Sequence, residues 1–257
     1  LSDKPLGSVS RSYFDPVDQV IYSAIRYPGR LATIAAIGRD TGIRELTDVA
    51  GAALYYVTSL AFDPNGRRLF YTTDNNNWRD LNVYDLTTRK ARRLIRDCRA
   101  GDLVFHSGDG TLWGITHGNG LSSVVRIKPP YQSVDLLYSF PYGTDLFDID
   151  VSPDGKYLTG AIADNAGKQK LVRFETANLL RGDAAYDVLH DFEYSSPENF
   201  VHSPDGRHLY GSSYYTGVSN LFRYDLASRK LDAVSNAETG LFRPIPMPDG
   251  SLVAFEY

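Results

Sequence analysis

The chain of 257 residues is poor in several features, and each shortage excludes a class of protein. Its single cysteine, Cys98, allows no internal disulfide and no zinc site built on several thiolates. No apolar run reaches the roughly 18 residues of a membrane span, so we expect no direct membrane insertion by this segment. The formal net charge is −4 and the basic residues do not cluster, which argues against a nucleic-acid partner.

Catalytic motifs are also missing. The sequence has no Gly-x-Ser-x-Gly nucleophile elbow, no His-Glu-x-x-His pair and no phosphate-binding loop. The five histidines never occur at metal-ligand spacing; they are His106, His117, His190, His202 and His208. His106 and His202 stand where other repeats have phenylalanine, which predicts a packing role. We therefore expect no catalytic residue, no metal and no cofactor in this segment.

What the sequence does contain is a repeated turn, best preserved as Ser-Pro-Asp-Gly in Val151–Leu158. Proline presets the first corner of such a turn, Asp or Asn caps it, and glycine adopts the positive φ. Each copy therefore predicts a tight turn between two strands. The other copies, two of them degenerate, are Phe14–Ile21, Phe62–Leu69, Phe105–Leu112, Val201–Leu209 and Pro246–Leu252.

The copies recur about every 45 residues, which is the spacing of four-stranded propeller blades. Short apolar runs between turn residues favour strands, and one insertion, Asn178–Ala185, is expected to form a helical turn. We predict an all-β, six-bladed β-propeller with four-stranded antiparallel blades, the sixth incomplete. The predicted blades span about 8–47, 58–96, 102–138, 147–190, 198–234 and 243–257.

The whole segment, 1–257, is predicted to be a single propeller domain, monomeric by itself. It starts without methionine and ends at Glu256-Tyr257 in what reads as mid-strand. We therefore expect it to be excised from a longer chain. The outer strands of the sixth blade would come from sequence beyond Tyr257 or from residues 4–8.

The Ser-Pro-Asp-Gly turn, the Lys-Tyr-Leu or Arg-His-Leu that follows it and the Tyr-Asp-Leu strand end resemble the WD-like repeats of TolB-type six-bladed β-propellers. The resemblance covers nearly the whole chain, although the first and third copies depart from Pro-Asp-Gly. It implies a non-catalytic protein- or peptide-binding scaffold in the periplasm or cell envelope of bacteria. It also leaves two alternatives open: the gating or substrate-selecting propeller of a larger prolyl-oligopeptidase-like hydrolase, and a carbohydrate-binding or lyase-type propeller.

Blade topology predicts where a partner binds. Loops between the second and third strands open on the same face as the links between blades, and these segments are rich in polar and aromatic residues. The links include Tyr142, Asp145 and Tyr194. Exposed aromatic rings are typical anchors of binding surfaces. The predicted partner-binding residues are Tyr56, Asn75, Trp78, Arg99, Glu198 and Tyr214.

A second prediction comes from register. Counting back five residues from each turn proline, or its equivalent, selects one polar residue at the start of each innermost strand. These residues are expected to ring the mouth of a central channel and to suit water, a metal ion or a peptide terminus; plain solvated lining is the alternative. They are Arg11, Ser59, Asp102, Asp148, Asn199 and Arg243.

Overall fold

The structure is a computed structural model that describes residues 6–27, 30–49, 59–74 and 78–256. Within these ranges the chain forms short β-strands and a single helical turn. In chain order the elements are β1 (Ser8–Val9), β2 (Tyr13–Asp15), β3 (Val20–Arg26), β4 (Ala32–Gly38), β5 (Gly42–Val49), β6 (Leu60–Asp63), β7 (Arg68–Asp74), β8 (Arg79–Asp85), β9 (Lys90–Ile95), β10 (Ala100–His106), β11 (Thr111–Gly118), β12 (Leu121–Ile127), β13 (Asp135–Ser139), β14 (Asp145–Val151), β15 (Tyr157–Ala163), β16 (Gln169–Glu175), α1 (Thr176–Leu179), β17 (Tyr186–Asp191), β18 (Glu198–His202), β19 (His208–Ser213), β20 (Asn220–Asp225), β21 (Lys230–Ala233), β22 (Leu241–Pro246) and β23 (Leu252–Glu256).

The sheets are meanders in which each strand pairs with the next one along the chain. The strand orders are β6-β7-β8-β9, β10-β11-β12-β13, β14-β15-β16-β17 and β18-β19-β20-β21. In the first sheet, β1 and β2 pair with successive parts of one edge of β3, and β4 and β5 follow. Each sheet is therefore a four-stranded antiparallel blade, as the turn spacing predicts.

The predicted number of blades is wrong: the described residues form five blades rather than six. β22 and β23 pair with each other in a two-stranded sheet. Each copy of the repeated motif indicates one turn, and a Pro-Asp-Gly turn requires only the two strands that it joins. The sixth copy of the motif therefore specifies a hairpin, and no blade follows from it.

The chain divides into two compact units, Leu1–Gly114 with Ile127–Val134, and Ile115–Arg126 with Asp135–Tyr257. The core of the first unit includes Tyr22 and Leu69, both fully buried. The core of the second is aromatic and contains Phe192, Phe200 and Tyr224. Their inner strands are buried and their outermost strands largely exposed, so the hydrophobic driving force acts on the inner part of each blade.

The Ser-Pro-Asp-Gly turns of the second unit satisfy their own polar groups. The Ser152 hydroxyl donates to Oδ1 of Asp154 at 2.7 Å and accepts the Tyr157 N–H at 3.0 Å. Gly155 takes a φ of +73°, which a side chain would oppose. The Ser203-Pro204-Asp205-Gly206 copy has the same geometry, with the serine–aspartate bond at 2.6 Å. The repeat is thus explained by local hydrogen bonding alone.

Blades β14–β17 and β18–β21 share several polar contacts, among them one buried pair and one exposed pair. Oδ2 of Asp150 lies 2.8 Å from Nδ1 of His202 and accepts the His202 N–H at 2.7 Å. The Arg229 guanidinium donates to both carboxylate oxygens of Asp187, at 2.9 and 3.1 Å. His202, predicted to be a packing residue, is indeed buried, with 3% of its side chain exposed.

The helical turn predicted within 178–185 is present but begins earlier, at Thr176. The Thr176 hydroxyl donates to the Gly155 carbonyl at 2.8 Å, which ties α1 to the preceding turn. Among the residues that the structure describes, no helix has the length and hydropathy needed to cross a membrane.

Candidate functional site

The second unit has two contrasting ends. We call its Ser152–Lys156 and Ser203–Arg207 turns the turn end. The loop end comprises the loops between second and third strands and the links that lead from one blade to the next. Together with the adjoining ends of the strands, its loops are residues 117–120, 164–168 and 213–219, and its links are residues 140–145, 191–198 and 234–243.

Two links of the loop end carry the same Phe-x-Tyr pattern. Phe140 and Phe192 are buried, whereas Tyr142 and Tyr194, two residues later, are each 72% exposed. Each phenylalanine N–H donates to a backbone carbonyl of its own blade, of Ser122 for Phe140 and of Gln169 for Phe192. The phenylalanine anchors the link in the core, and the tyrosine ring is consequently held at the surface.

Each of these tyrosines lies beside a glycine in the loop of the preceding blade. A Cβ built on Gly120 would lie 3.0 Å from Cε1 of Tyr142, and one built on Gly167 would lie 3.9 Å from Cδ1 of Tyr194. At Gly120, with a φ of +76°, glycine therefore serves both the turn and the close approach of the ring. Loops and links of the second unit form one continuous surface at this end.

Tyr214 and Tyr215 extend this surface differently. The Tyr214 ring is 52% exposed and its centroid lies 6.1 Å from that of Phe242 in the next link. The Tyr215 ring packs edge-on against Phe192 at 5.4 Å and against His190 at 5.8 Å. Tyr214 is therefore available to a ligand, while Tyr215 mainly covers the core.

Exposed aromatic side chains concentrate in loops and links. Of the six in the described part of the chain, four belong to the loop end of the second unit and one, Trp78, lies just before β8 in the first unit. The sixth, Tyr186, begins β17, at the opposite end of that strand from the link that starts at Asp191. A solvated loop has no need of an exposed ring, so this distribution favours a recognition surface.

Two of the predicted partner-binding residues meet in the first unit. Cζ of Arg99 lies 3.1 Å from the centroid of the Trp78 ring, a cation–π stack. The Arg99 N–H donates to the Arg79 carbonyl at 3.1 Å, which brings the link onto the loop. Trp78 remains 45% exposed, so the stack leaves an aromatic surface for a ligand.

Glu198, also predicted to bind a partner, is the first residue of β18 and pairs across the sheet with Ser212. Burial raises the pKa of the Glu198 carboxyl, and the positive charge of Arg243 opposes this shift. In the part of the chain that the structure describes, no donor forms a hydrogen bond with this carboxyl. Tyr214 is placed as described above, and Tyr56 and Asn75 lie outside the described residues.

Four of the six predicted channel-mouth residues share a left-handed backbone, with φ of 46° at Asp102, 50° at Asp148, 49° at Asn199 and 51° at Arg243; Arg11 and Ser59 do not. In the second unit all three positions lie at a register shift of the inner strand, which is a β-bulge. Non-glycine residues rarely adopt this conformation, so its recurrence identifies a conserved local geometry within the chain.

Three of these residues form a connected series in the second unit. Oδ2 of Asp148 accepts the Asn199 N–H at 3.0 Å and its side-chain amide at 3.2 Å. Oδ1 of Asn199 in turn accepts from the Arg243 guanidinium at 3.4 Å. In the first unit, the Ser59 hydroxyl accepts the N–H of Leu103, the residue after Asp102. The ring of all six, including Arg11, around a channel stays a prediction.

Sequence reasoning places Tyr142 and Tyr194 in links but passes over them when binding residues are selected. The available signal is the Phe-x-Tyr pattern, which recurs 52 residues apart (Phe140 and Phe192). The Ser-Pro-Asp-Gly turn is the more obvious repeated pattern, and the weaker Phe-x-Tyr pattern lies outside that turn.

The described residues offer no constellation for catalysis. They contain no group of three or more His, Cys, Asp or Glu side chains placed to hold a metal. The Asp150–His202 pair has the form of a general-base pair, but both side chains are buried. The nearest turn hydroxyl in sequence, Ser203, donates to Asp205 instead.

A cavity of about 280 Å³ lies at the turn end of the second unit and is lined by Asp154, Tyr157, Arg173, His202 and Asp205 among others. Its charged groups already have partners: both aspartates accept bonds from their own turns, and Arg173 donates to Asp187. This cavity consequently has fewer polar groups to offer a ligand than the loop end.

Solved structures with a similar fold are β-propellers. TolB from Acinetobacter baumannii matches with a TM-score of 0.70 and 16% identity, over 91% of this chain and 55% of that one. Oligogalacturonate lyase in complex with manganese matches with a TM-score of 0.59 and 12% identity, over 93% and 83%. One of two prolyl endopeptidases studied together matches with a TM-score of 0.56 and 14% identity, over 96% and 39%.

These likenesses establish the fold as an all-β propeller with four-stranded antiparallel blades, and at such identities they establish nothing further. The resemblance to TolB-type propellers inferred from the turns is confirmed at the level of fold. The chain spans about half the length of the TolB chain that it matches. No protein-family model and no curated protein matches the sequence.

Proposed function

We propose that this propeller is a non-catalytic recognition module that binds a protein or peptide partner through its loops and links. One observation carries the proposal. Most of the exposed aromatic rings lie in these segments, whereas the serine and aspartate side chains of the turn end form hydrogen bonds with each other. Aromatic rings bury much area at little cost in conformational entropy, which suits an anchor.

The contact residues in this proposal form two groups. In the second unit they are Tyr142, Tyr194, Tyr214 and Glu198; in the first they are Trp78 and its stacked Arg99. The sequence adds Tyr56 and Asn75. The bonded series Asp148–Asn199–Arg243 would hold the strand ends beneath the first group.

We also place the function in the bacterial periplasm or cell envelope, the compartment that the resemblance to TolB-type propellers implies. The propeller of a larger hydrolase is the second candidate, because the prolyl endopeptidase shares this fold. A nucleophile elbow in the sequence flanking this segment, with peptidase activity in the whole protein, would favour that candidate.

The test uses a random 12-residue peptide library displayed on phage and panned against the immobilised chain. We expect enrichment for the wild type and its loss in Tyr142→Ser/Tyr194→Ser, because both anchor rings are removed. Trp78→Ser/Tyr214→Ser tests the remaining rings in the same way. Since these side chains are exposed, each substitution should change the free energy of unfolding by no more than about 0.5 kcal/mol.

Tyr186→Ser is the matched control, because it removes an exposed ring outside the loops and links. Its enrichment should equal that of the wild type. Absence of any enriched peptide for the wild type, or equal loss in the Tyr186 variant, would contradict the proposed function.

A further inference from the structure

We propose that the partner segment recognised at the loop end is positively charged and that Glu198 receives one of its ammonium or guanidinium groups. This inference rests on the proposed function and specifies the chemistry of its partner. It follows from the balance of charge at the loop end and from the environment of one carboxylate.

The loop end of the second unit is strongly acidic. It contains six acidic side chains and two basic ones, Lys168 and Arg243, with His117 in addition. This excess equals the net charge of −4 of the entire chain. A surface of this sign attracts cationic partners and disfavours anionic ones. The acidic residues are Asp145, Asp164, Asp191, Glu193, Glu198 and Glu238.

Several of these carboxylates already have partners within the chain. Oδ1 of Asp164 accepts the N–H groups of Ala166 and Lys168, at 2.9 and 3.0 Å. Oδ1 of Asp191 accepts the Glu193 N–H at 2.8 Å. Asp145 lies 3.2 Å from Nε2 of His117. These groups shape the loops, so they are poor candidates for a dedicated cation site.

Glu198 differs because it is partly buried and none of the described residues donates a hydrogen bond to it. Burial of a carboxylate without a partner is unfavourable, and burial accordingly raises the pKa of Glu198. A cation supplied by a ligand would compensate the carboxylate in the way that an internal partner does elsewhere. The fold thus maintains an unfavourable group at the surface where the rings are exposed.

A second buried group points to the same place. Ser212 is the cross-strand partner of Glu198, so the two side chains project from the same face of the blade. Its Oγ is fully buried and has no hydrogen-bond partner among the described residues. Buried hydroxyls are almost always bonded, so an unpaired one on the same face of the blade as Glu198 marks a place where the fold leaves polar groups unsatisfied.

Arg243 acts on Glu198 through its charge, which opposes the rise in the pKa, but it does not contact the carboxylate. The Arg243 guanidinium donates to Oδ1 of Asn199, and among the described residues it forms no ion pair with Glu198 within 4.0 Å. The rings of Tyr194, four residues before Glu198, and of Tyr214, two residues after Ser212, are exposed, and aromatic faces attract ammonium and guanidinium groups. The loop end therefore carries both kinds of group that attract a lysine or arginine side chain.

The experiment measures binding of fluorescein-labelled hexalysine, hexaglutamate and a neutral Gly-Ser hexapeptide by fluorescence anisotropy. We expect the wild type to prefer hexalysine and Glu198→Gln to weaken that binding by at least about tenfold. Glu175→Gln is the matched control: it removes the same charge from an exposed position at the end of β16, and it should change binding by less than about twofold.

Non-specific attraction to an acidic protein predicts equal losses in the two variants, and that result would overturn the inference. Failure of the wild type to bind hexalysine, or equal binding of the neutral peptide, would also overturn it. The composition of peptides enriched from the phage library separates the two proposals. Enriched peptides without lysine or arginine leave peptide recognition intact and reject the cationic partner, whereas absence of any enriched peptide rejects both.

Discussion

The aspartates of the Ser-Pro-Asp-Gly turns and Glu198 at the loop end of the second unit lie in opposite environments. At the turn end, hydrogen bonds from Ser152 and Ser203 lower the pKa of Asp154 and Asp205 respectively. At the loop end, burial raises the pKa of Glu198. The turn aspartates stabilise the fold in their ionised form, whereas the ionised form of Glu198 is disfavoured by burial. The binding role proposed for Glu198 would explain why such a group stands on a surface with exposed rings.

Asp154 and Asp205 on one side and Glu198 on the other therefore contribute to the pH dependence of the free energy of unfolding with opposite signs. A carboxyl with a lowered pKa stabilises the fold above its unfolded-state pKa, and this stability is lost as the pH falls through the folded-state value. For Glu198 the folded state holds the proton more tightly. Its contribution is present below the unfolded-state pKa and is lost as the pH rises through the higher, folded-state value.

Phe192→Ala should have the largest effect, because it disconnects the loop end from the core. Phe192 is fully buried and its ring contacts those of Phe200, Tyr215 and Phe222. We expect the free energy of unfolding, measured by urea denaturation, to fall by about 3–5 kcal/mol. A smaller loss in Phe192→Leu is the control for cavity size. A loss below about 1 kcal/mol in the alanine variant would mean that the link is not anchored as described.

Ser203→Ala tests the turn end and should have an intermediate effect. The substitution removes the bond donated to Asp205 and the acceptor of the His208 N–H. We expect a loss of about 1 kcal/mol in urea denaturation, with peptide binding unchanged. Ser152→Ala, with the same geometry, should give a matching loss. Weakened binding in either variant would show that the two ends are not functionally distinct.

Glu198→Gln should have the smallest effect on stability and, unusually, a favourable one. Glutamine carries no charge to be buried, so the variant should unfold at a higher urea concentration than the wild type at neutral pH. The difference should shrink as the pH falls below the folded-state pKa of Glu198. A variant less stable than the wild type at neutral pH would mean that the carboxylate is satisfied in the fold.

Turns and strand order were predictable because they depend on neighbours in sequence. The bonds within Ser152–Tyr157 are local, and the left-handed positions at Asp148 and Asn199 keep a constant distance from the turn proline. The number of blades was not predictable, because the turn at Pro248-Asp249-Gly250 requires only β22 and β23.

The sequence by itself thus determined the four-stranded blade and its turn, since both follow from spacing along the chain. The environments of individual residues in the loops and links depended on tertiary contacts. Burial of Glu198 against Ser212 and the stacking of Arg99 on Trp78 join residues that are 14 and 21 positions apart. Desolvation and cation–π attraction act through space, so the order of the residues alone does not reveal them.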